Sequence, residues 1–272
     1  MKPLRLEYKF LLPVERIDEL RRAISPFVFI DEYAEREINK EYTVHSIYFD
    51  TMRLDDYHDK LSGIKIRKKL RIRGYNYKDE KSIVFLEIKR KYENHISKNR
   101  APLFFSDLKE IFNTSDCEKY VLKKSNYIDA VNDARKFFYL SKIKNCSPVV
   151  LINYEREAYF SKHDTTLRIT FDKNLRSTPL PDISDLYNEP GLKYAMPGNL
   201  ILEVKFFSGF PEWLQKILKK FELKRQAVSK YTICVDSHKD LRKYVNGSNL
   251  LLPSNLNKNR FNYIEEKIKH AG

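Results

Sequence analysis

The chain has 272 residues, 42% hydrophobic and 13% aromatic, and 51 Lys and Arg against 37 Asp and Glu give a formal net charge of +14. This composition excludes a disordered chain and suits one large β-rich domain or two small ones. With only 7 glycines and no GxxxxGK[ST] or GxGxxG, a bound nucleotide must be held by side chains, and the charge calls for an anionic partner: nucleic acid, an anionic membrane surface or a polyanionic metabolite.

In chain order, residues 3–11 read as a strand, and Pro13 opens an amphipathic helix with Ile17, Leu20, Ala23 and Ile24 on one side. Residues 42–49 read as a strand ending at Asp50-Thr51, followed by a short helix carrying Leu54, Tyr57 and Leu61. Two long strands follow near 64–75 and 82–91, joined by a polar turn around Asp79-Glu80. Helices are expected over 106–112, capped by Ser106, and over about 117–140. Strands resume at 149–160 and 165–173, the proline-rich stretch 174–198 reads as a long loop, and 200–207 is the last charged strand. Pro211 starts a helix through about Phe221, and Ser229-Lys230-Tyr231 starts another. Roughly eight strands with peripheral helices make an α+β domain over 1–245, with a polar tail, amphipathic near its end, over 246–272.

No stretch is long and apolar enough to span a bilayer, and the Met-Lys-Pro-Leu-Arg start reads as no signal peptide. Cys117, Cys146 and Cys234 are odd in number and lack metal-ligand spacing, which suits a reduced, cytoplasmic setting. The six histidines form no HExxH or similar cluster.

The most informative pattern is a thrice-repeated Glu-x-Lys: Glu7-Tyr8-Lys9, Glu87-Ile88-Lys89 and Glu203-Val204-Lys205. Each lies in a run alternating charged and apolar residues; Lys69-Leu70-Arg71-Ile72-Arg73 and Arg168-Ile169-Thr170-Phe171-Asp172 alternate likewise. Residues two apart on a strand share a face, so these strands have one apolar and one charged face. An ordinary solvated sheet face with cross-strand ion pairs also alternates. Recurrence across the chain, and the concentration of Arg in these runs, favour convergence of the charged faces on a cation-lined cavity for a phosphate chain.

In that reading Lys69, Arg71 and Arg73 share a face, Lys89 and Lys91 extend it, and Arg156 and Arg168 add guanidinium groups. Arg5, Lys9, Arg71, Arg73, Lys89, Arg156, Arg168, Glu203 and Lys205 are expected to point into one cavity. A carboxylate among so many cations is expensive unless it holds a cation, so Glu203 is a candidate ligand for Mg2+ or Mn2+ shared with phosphate oxygens. Glu7 and Glu87 either share that role or pair with Lys9 and Lys89. Ser229 and Lys230 at a helix start could add a hydroxyl and an ammonium, although spacing alone favours a simple N-cap beside a solvated lysine.

Nine motifs in order carry a family resemblance: Glu7-x-Lys9, Ser46-Ile47-Tyr48-Phe49-Asp50, Tyr57-x-x-Lys60-Leu61, Leu70-Arg71-Ile72-Arg73-x-Tyr75 and Leu86-Glu87-x-Lys89, then Tyr154-x-Arg156-x-Ala158, Leu167-Arg168-Ile169-Thr170-x-Asp172, Leu202-Glu203-x-Lys205 and Ser229-Lys230-Tyr231. Over about residues 4–240 the chain resembles the VTC domain, the polyphosphate polymerase domain of the vacuolar transporter chaperone family, within the triphosphate tunnel metalloenzymes. The resemblance implies an eight-stranded antiparallel β tunnel (barrel) in which the γ-phosphate of ATP passes to a growing polyphosphate chain with the help of Mn2+ or Mg2+. It implies catalytic roles for Lys9, Arg71, Arg73, Lys89, Arg156 and Lys230, substrate contacts for Lys60, Lys91, Tyr154, Arg168, Lys205 and Ser229, and the metal on Glu203. Lys60 stands where the best-known members have Arg, and Lys91 where they have His. The regulatory and transmembrane domains of eukaryotic members are absent from this sequence, so translocation of product would need a separate membrane partner.

Two alternatives stay open. A tripolyphosphatase or nucleoside triphosphatase of the same superfamily would use water as acceptor, with Glu7 or Glu87 to orient it. A non-catalytic binder of polyphosphate or nucleic acid would need no such carboxylate. Nucleic acid is disfavoured because the aromatics of the charged strands are expected on the apolar face.

Overall fold

The computed structural model describes residues 5–241 except 77, 78, 80, 94, 190 and 208. The expected polar tail, and Glu80 in the expected turn, lie outside the described residues. Ten strands form the sheet: β1 (Arg5–Pro13), β2 (Val28–Ile30), β3 (Tyr42–Asp50), β4 (Ile66–Tyr75), β5 (Ile83–Tyr92), β6 (His95–Phe104), β7 (Ser147–Ser161), β8 (Arg168–Pro179), β9 (Lys193–Tyr194) and β10 (Asn199–Phe206). Their order is β2-β7-β3-β4-β5-β6-β1-β10-β8-β9, and β7 also pairs with β8. Eight antiparallel strands therefore close into a ring, with β2 and β9 appended to it. The narrowest seam is β1–β6, where only Arg5 pairs with Ile96 and Leu6 with His95.

The alternating runs become strands because one face of each is continuously apolar, and those apolar faces point outward. Leu70, Ile72, Leu86, Ile88, Ala101 and Leu103 form one buried outer layer with helices α4 (Leu108–Thr114), α5 (Cys117–Tyr120) and α6 (Ala130–Lys144). Phe10, Leu12, Ile169, Phe171, Leu202 and Val204 form a second with α1 (Ile17–Ile24) and α7 (Glu212–Lys220). Val44, Val150, Ile152 and Ile201 instead share the inward face with Tyr48, Tyr154 and Glu203, and they cluster with α2 (Glu32–Glu35), α3 (Asp55–Leu61) and α8 (Lys230–Asp236). The helices thus clad a sheet whose charged face is enclosed.

Several expectations need correction. β6 is a full strand that the motifs did not indicate. The helix expected over 117–140 is broken, because Val121 is extended and the Leu122 N–H donates to the Pro102 carbonyl of β6 (2.8 Å). Ser106 caps nothing: it lies in a 3-10 turn, and α4 starts at Asp107 without a side-chain cap. The stretch expected as a loop instead continues β8 to Pro179 and adds a 3-10 helix at Ile183–Tyr187 and the short β9.

Phe137 of α6 is fully buried against β-sheet residues and Phe49, Phe112 and Phe138. Phe137→Ala should destabilise the fold by about 3–5 kcal/mol in urea unfolding. Ile128→Ala, at a side chain 93% exposed, should change stability by less than about 0.5 kcal/mol.

Candidate active site

The charged faces enclose a cavity of about 650 Å³. Sixteen Lys and Arg side chains line it, against two carboxylates, Glu7 and Glu203. The thirteen residues to which the resemblance gives roles all lie on this lining: Lys9, Lys60, Arg71, Arg73, Lys89, Lys91, Tyr154, Arg156, Arg168, Glu203, Lys205, Ser229 and Lys230. Arg5, Arg67, Lys69, Lys98, Arg100 and Arg225 add further cations.

Strand register distributes the charge. β1 runs antiparallel to β10, so Lys9 faces Glu203 and Glu7 faces Lys205. Two Glu-x-Lys motifs thereby make a four-membered checkerboard. Lys9 lies 3.0 Å from Glu7 and 3.7 Å from Glu203, and Lys205 pairs with Glu203. On the other wall Arg71, Glu87 and Arg100 form one row across β4, β5 and β6. Glu87 is fully buried and takes Arg71 at 2.6 Å, Arg100 at 2.9 Å and Lys98 at 3.1 Å. Arg156 grips Asp172 of β8 with two bonds, 2.6 and 2.8 Å, and Lys230 pairs with the same carboxylate.

Four tyrosine hydroxyls accept from arginines around the lining: Tyr48 from Arg71 (2.8 Å), Tyr154 from Arg73 (3.3 Å), Tyr42 from Arg168 (3.1 Å) and Tyr75 from Arg100 (2.9 Å). The expectation that aromatics of the charged strands face away therefore holds for Tyr8, Phe10, Phe171 and Phe206, which lie in the outer layer, but not for these four. Even positions of β3 turn inward, so Tyr42 and Tyr48 fall on the cavity side. The signal lay in their two-residue spacing with Val44 and Ser46. Lys98 and Arg100 were missed with β6 itself.

Ser229 is the N-cap of α8, its hydroxyl accepting from Thr232 N–H. Lys230 is buried rather than solvated, because the first turn of α8 presses it onto Asp172, with Glu203 3.7 Å away.

Crowding shifts the titration of many groups. Against the effect of burial, Arg71, Lys98, Arg73 and Arg100 hold Glu87 well below the usual carboxylate range. Lys89, Lys9 and Lys205 do the same for Glu7, and Arg156 and Lys230 for Asp172. Burial pushes Lys69, Lys89 and Lys98 down to about 8. Burial alone would raise the Tyr48 phenol, but Arg71, Arg73 and Lys89 bring it to about 7.

Among the described residues no three His, Cys, Asp or Glu converge on a metal position. Glu203 is buried on the lining between Lys9, Lys205 and Lys230. One carboxylate cannot hold a metal alone, but it suits a divalent cation that takes its other ligands from phosphate oxygens and water.

The VTC domain family model matches residues 4–239. The chain belongs to the VTC domain family. No curated protein matches it. Among solved structures, PH1819 from Pyrococcus horikoshii OT3 is similar at 14% identity and a TM-score of 0.45, covering 86% of this chain and 99% of its own. HpAC1 from Hippeastrum, named as an adenylyl cyclase and described with a dominant triphosphatase activity, is similar at 17% identity and a TM-score of 0.46, covering 92% of this chain and 98% of its own. This VTC domain thus brings its nine motifs to one enclosed, cationic wall. No helix among the described residues is long and apolar enough to cross a membrane.

Two outcomes follow for stability. A group whose pKa is lowered on folding binds fewer protons in the folded state. Lys69, Lys89, Lys98 and Tyr48 therefore add stability as pH rises from about 7 towards 10. Cys146 and Cys234, pushed up to about 12 by burial, work the other way above about pH 8.5. In phosphate-free buffer the protein should melt higher at about pH 8.5 than at about pH 7. A steady fall over that interval would contradict the crowding of protonated lysines. Glu87→Gln, which leaves the buried Arg71 and the more exposed Arg100 and Lys98 short of a carboxylate, should destabilise by about 3–5 kcal/mol in chemical unfolding.

Proposed function

We propose that this protein is a polyphosphate polymerase that transfers the γ-phosphate of ATP to the end of a growing polyphosphate chain. The observation that carries the reading is the enclosed lining of sixteen cations, too many for the carboxylates present and converging on one cavity. In this reading Arg71, Arg73, Arg156 and Lys230, all on the lining, would hold the triphosphate, with Lys9, Lys89 and Lys205 beside it and Ser229 at the start of α8. Lys60, Lys91, Tyr154 and Arg168 complete the wall. Mn2+ or Mg2+, shared between Glu203 and the phosphates, would supply charge neutralisation.

In the transfer, a terminal oxygen of the chain forms a bond to the γ-phosphorus. The bond from that phosphorus to its bridging oxygen breaks, and the nucleoside diphosphate leaves with the electron pair. The acceptor is already an oxyanion, so no base is required, and catalysis is positioning and charge stabilisation. This favours a phosphate over water as acceptor. Glu7 and Glu87, the carboxylates that could orient water, are engaged by Lys9 and Lys89, and by Arg71, Lys98 and Arg100, respectively. Both are held well below the usual carboxylate range, which makes them poor bases. A binder of duplex nucleic acid would carry its cations on an outer surface, whereas these lie inside the ring.

Incubation with ATP and Mn2+ or Mg2+, followed by gel separation and polyphosphate staining, should give long chains and a nucleoside diphosphate. Orthophosphate as the sole new phosphate product would replace this reading with a triphosphatase. Glu203→Gln should abolish turnover while leaving metal-free tripolyphosphate binding unchanged or tighter, since a negative charge beside the ligand is removed. Arg71→Ala should weaken that binding about tenfold or more through lost charge-assisted hydrogen bonds.

A further inference from the structure

β4 presents Arg73, Arg71, Lys69 and Arg67 to the cavity at successive inward positions. The outer two are about 20 Å apart along the strand. A triphosphate cannot reach all four, but a longer phosphate chain can. Lys69 sits at the change from arginine forks to a lysine row: it lies opposite Lys89, which lies opposite Lys98. Like charges directly opposite on adjacent strands repel, and no carboxylate belongs to this row.

The three lysines are not equally compensated. Lys89 has Glu7 at 3.3 Å and Lys98 has Glu87 at 3.1 Å. The Lys69 Nζ is buried without a hydrogen-bond partner and lies 4.2 Å over the Tyr231 ring. The groups facing it are Lys89 from β5, Tyr48 and Asp50 from β3, Asp56 from α3 and Tyr231 from α8. Neither nearby carboxylate can serve it: Asp50 accepts from three backbone N–H groups and Tyr231, and Asp56 pairs with Lys144. A buried ammonium on a cavity wall that makes no hydrogen bond and meets only an aromatic face is suited to an anion.

We propose that Lys69 contacts the polyphosphate chain and not the nucleotide, and that it sets the preference for a long phosphate chain over a triphosphate. The assignment rests on the polymerase reading for its biological sense, but not for its test. Lysine suits the role because its ammonium is a point charge with rotatable donors. It can pass one phosphate to the next, whereas an arginine fork fixes a single geometry.

The test measures equilibrium binding of long-chain polyphosphate and of tripolyphosphate, without metal, to the wild type, Lys69→Met and Lys69→Arg. At about pH 7, Lys69→Met should bind the long chain about tenfold or more weakly and tripolyphosphate within about twofold of wild type. Lys69→Arg keeps its charge at every pH, so from about pH 7 to about pH 9 it should lose less long-chain affinity than the wild type. Each probe's own ionisation is common to all three proteins and drops out of the comparison. Equal weakening toward both probes, no weakening toward either, or a wild-type pH response in Lys69→Arg would overturn the proposal. If Lys69→Met does not fold, the pH comparison with Lys69→Arg decides alone. A wild type that binds the chain but makes none from ATP would refute the polymerase reading and leave this binding test intact.

Discussion

Everything else in this structure follows from eight strands turning their charged faces toward one another. In an ordinary sheet that face would meet water. Here closure of the ring takes Arg71, Arg73, Arg156 and Lys230 out of solvent, and each buried charge carries a desolvation penalty of several kcal/mol unless paired. Four carboxylates, Glu7, Glu87, Asp172 and Glu203, offset part of that penalty from positions fixed by strand register. The same closure turns the apolar faces outward, so they need cover from helices. The clustering of α4, α5 and α6 on one side and of α1 and α7 on another is therefore a consequence of where the charge points, whereas α8 joins the inward-facing Val44, Val150 and Ile152.

The compensation is incomplete in a particular way. Tyr42, Tyr48, Tyr75 and Tyr154 each accept a hydrogen bond from an arginine through a hydroxyl and not a carboxylate. They fix guanidinium orientation while leaving the positive charge available to a ligand. A carboxylate in the same position would orient the arginine and cancel it. The distinction separates Arg73, held by Ser46 and Tyr154, from Arg156, held by Asp172. It also means that stability and ligand affinity oppose one another here, since each added carboxylate would relieve the fold and weaken the site.

Much of this was legible in the sequence because strand alternation has a period of two and the interior is charged. At Glu7-Tyr8-Lys9 and Lys69-Leu70-Arg71 the reading of faces needed no three-dimensional information. The same rule is silent where the inward residue is uncharged, as at Ser46 and Tyr48. β6 escaped because Pro102 falls in line with Lys98 and Arg100 and breaks the run of cations on its inward side. Proline is tolerated there because β1 pairs only as far as His95 and Ile96, leaving a free sheet edge beyond them. Pairing register was out of reach altogether. Nothing local shows that the row of Arg71 contains Glu87 while the row of Lys69 contains two more lysines. Lys230 looked like a solvated lysine after an N-cap because its partner, Asp172, is distant in sequence.

Asp50 shows how the fold carries this arrangement into the helices at the cavity wall. At the end of β3 it is fully buried and accepts from the N–H groups of Thr51, Asp56 and Tyr57 and from the Tyr231 hydroxyl, the last at 2.5 Å. Three of those donors belong to the start of α3 and its approach, and the fourth to the first turn of α8. Tyr57 of α3 in turn donates to Asp236 at the end of α8 (2.5 Å), and Tyr48 of β3 stacks on Tyr231. One carboxylate thus fixes two helices against one strand. Those helices deliver Lys60 and Lys230 to the lining, and neither side chain could be aimed from the ring alone. Placing this acid outside the cavity lets it order the wall without neutralising it, a separation that the inward-facing carboxylates cannot achieve.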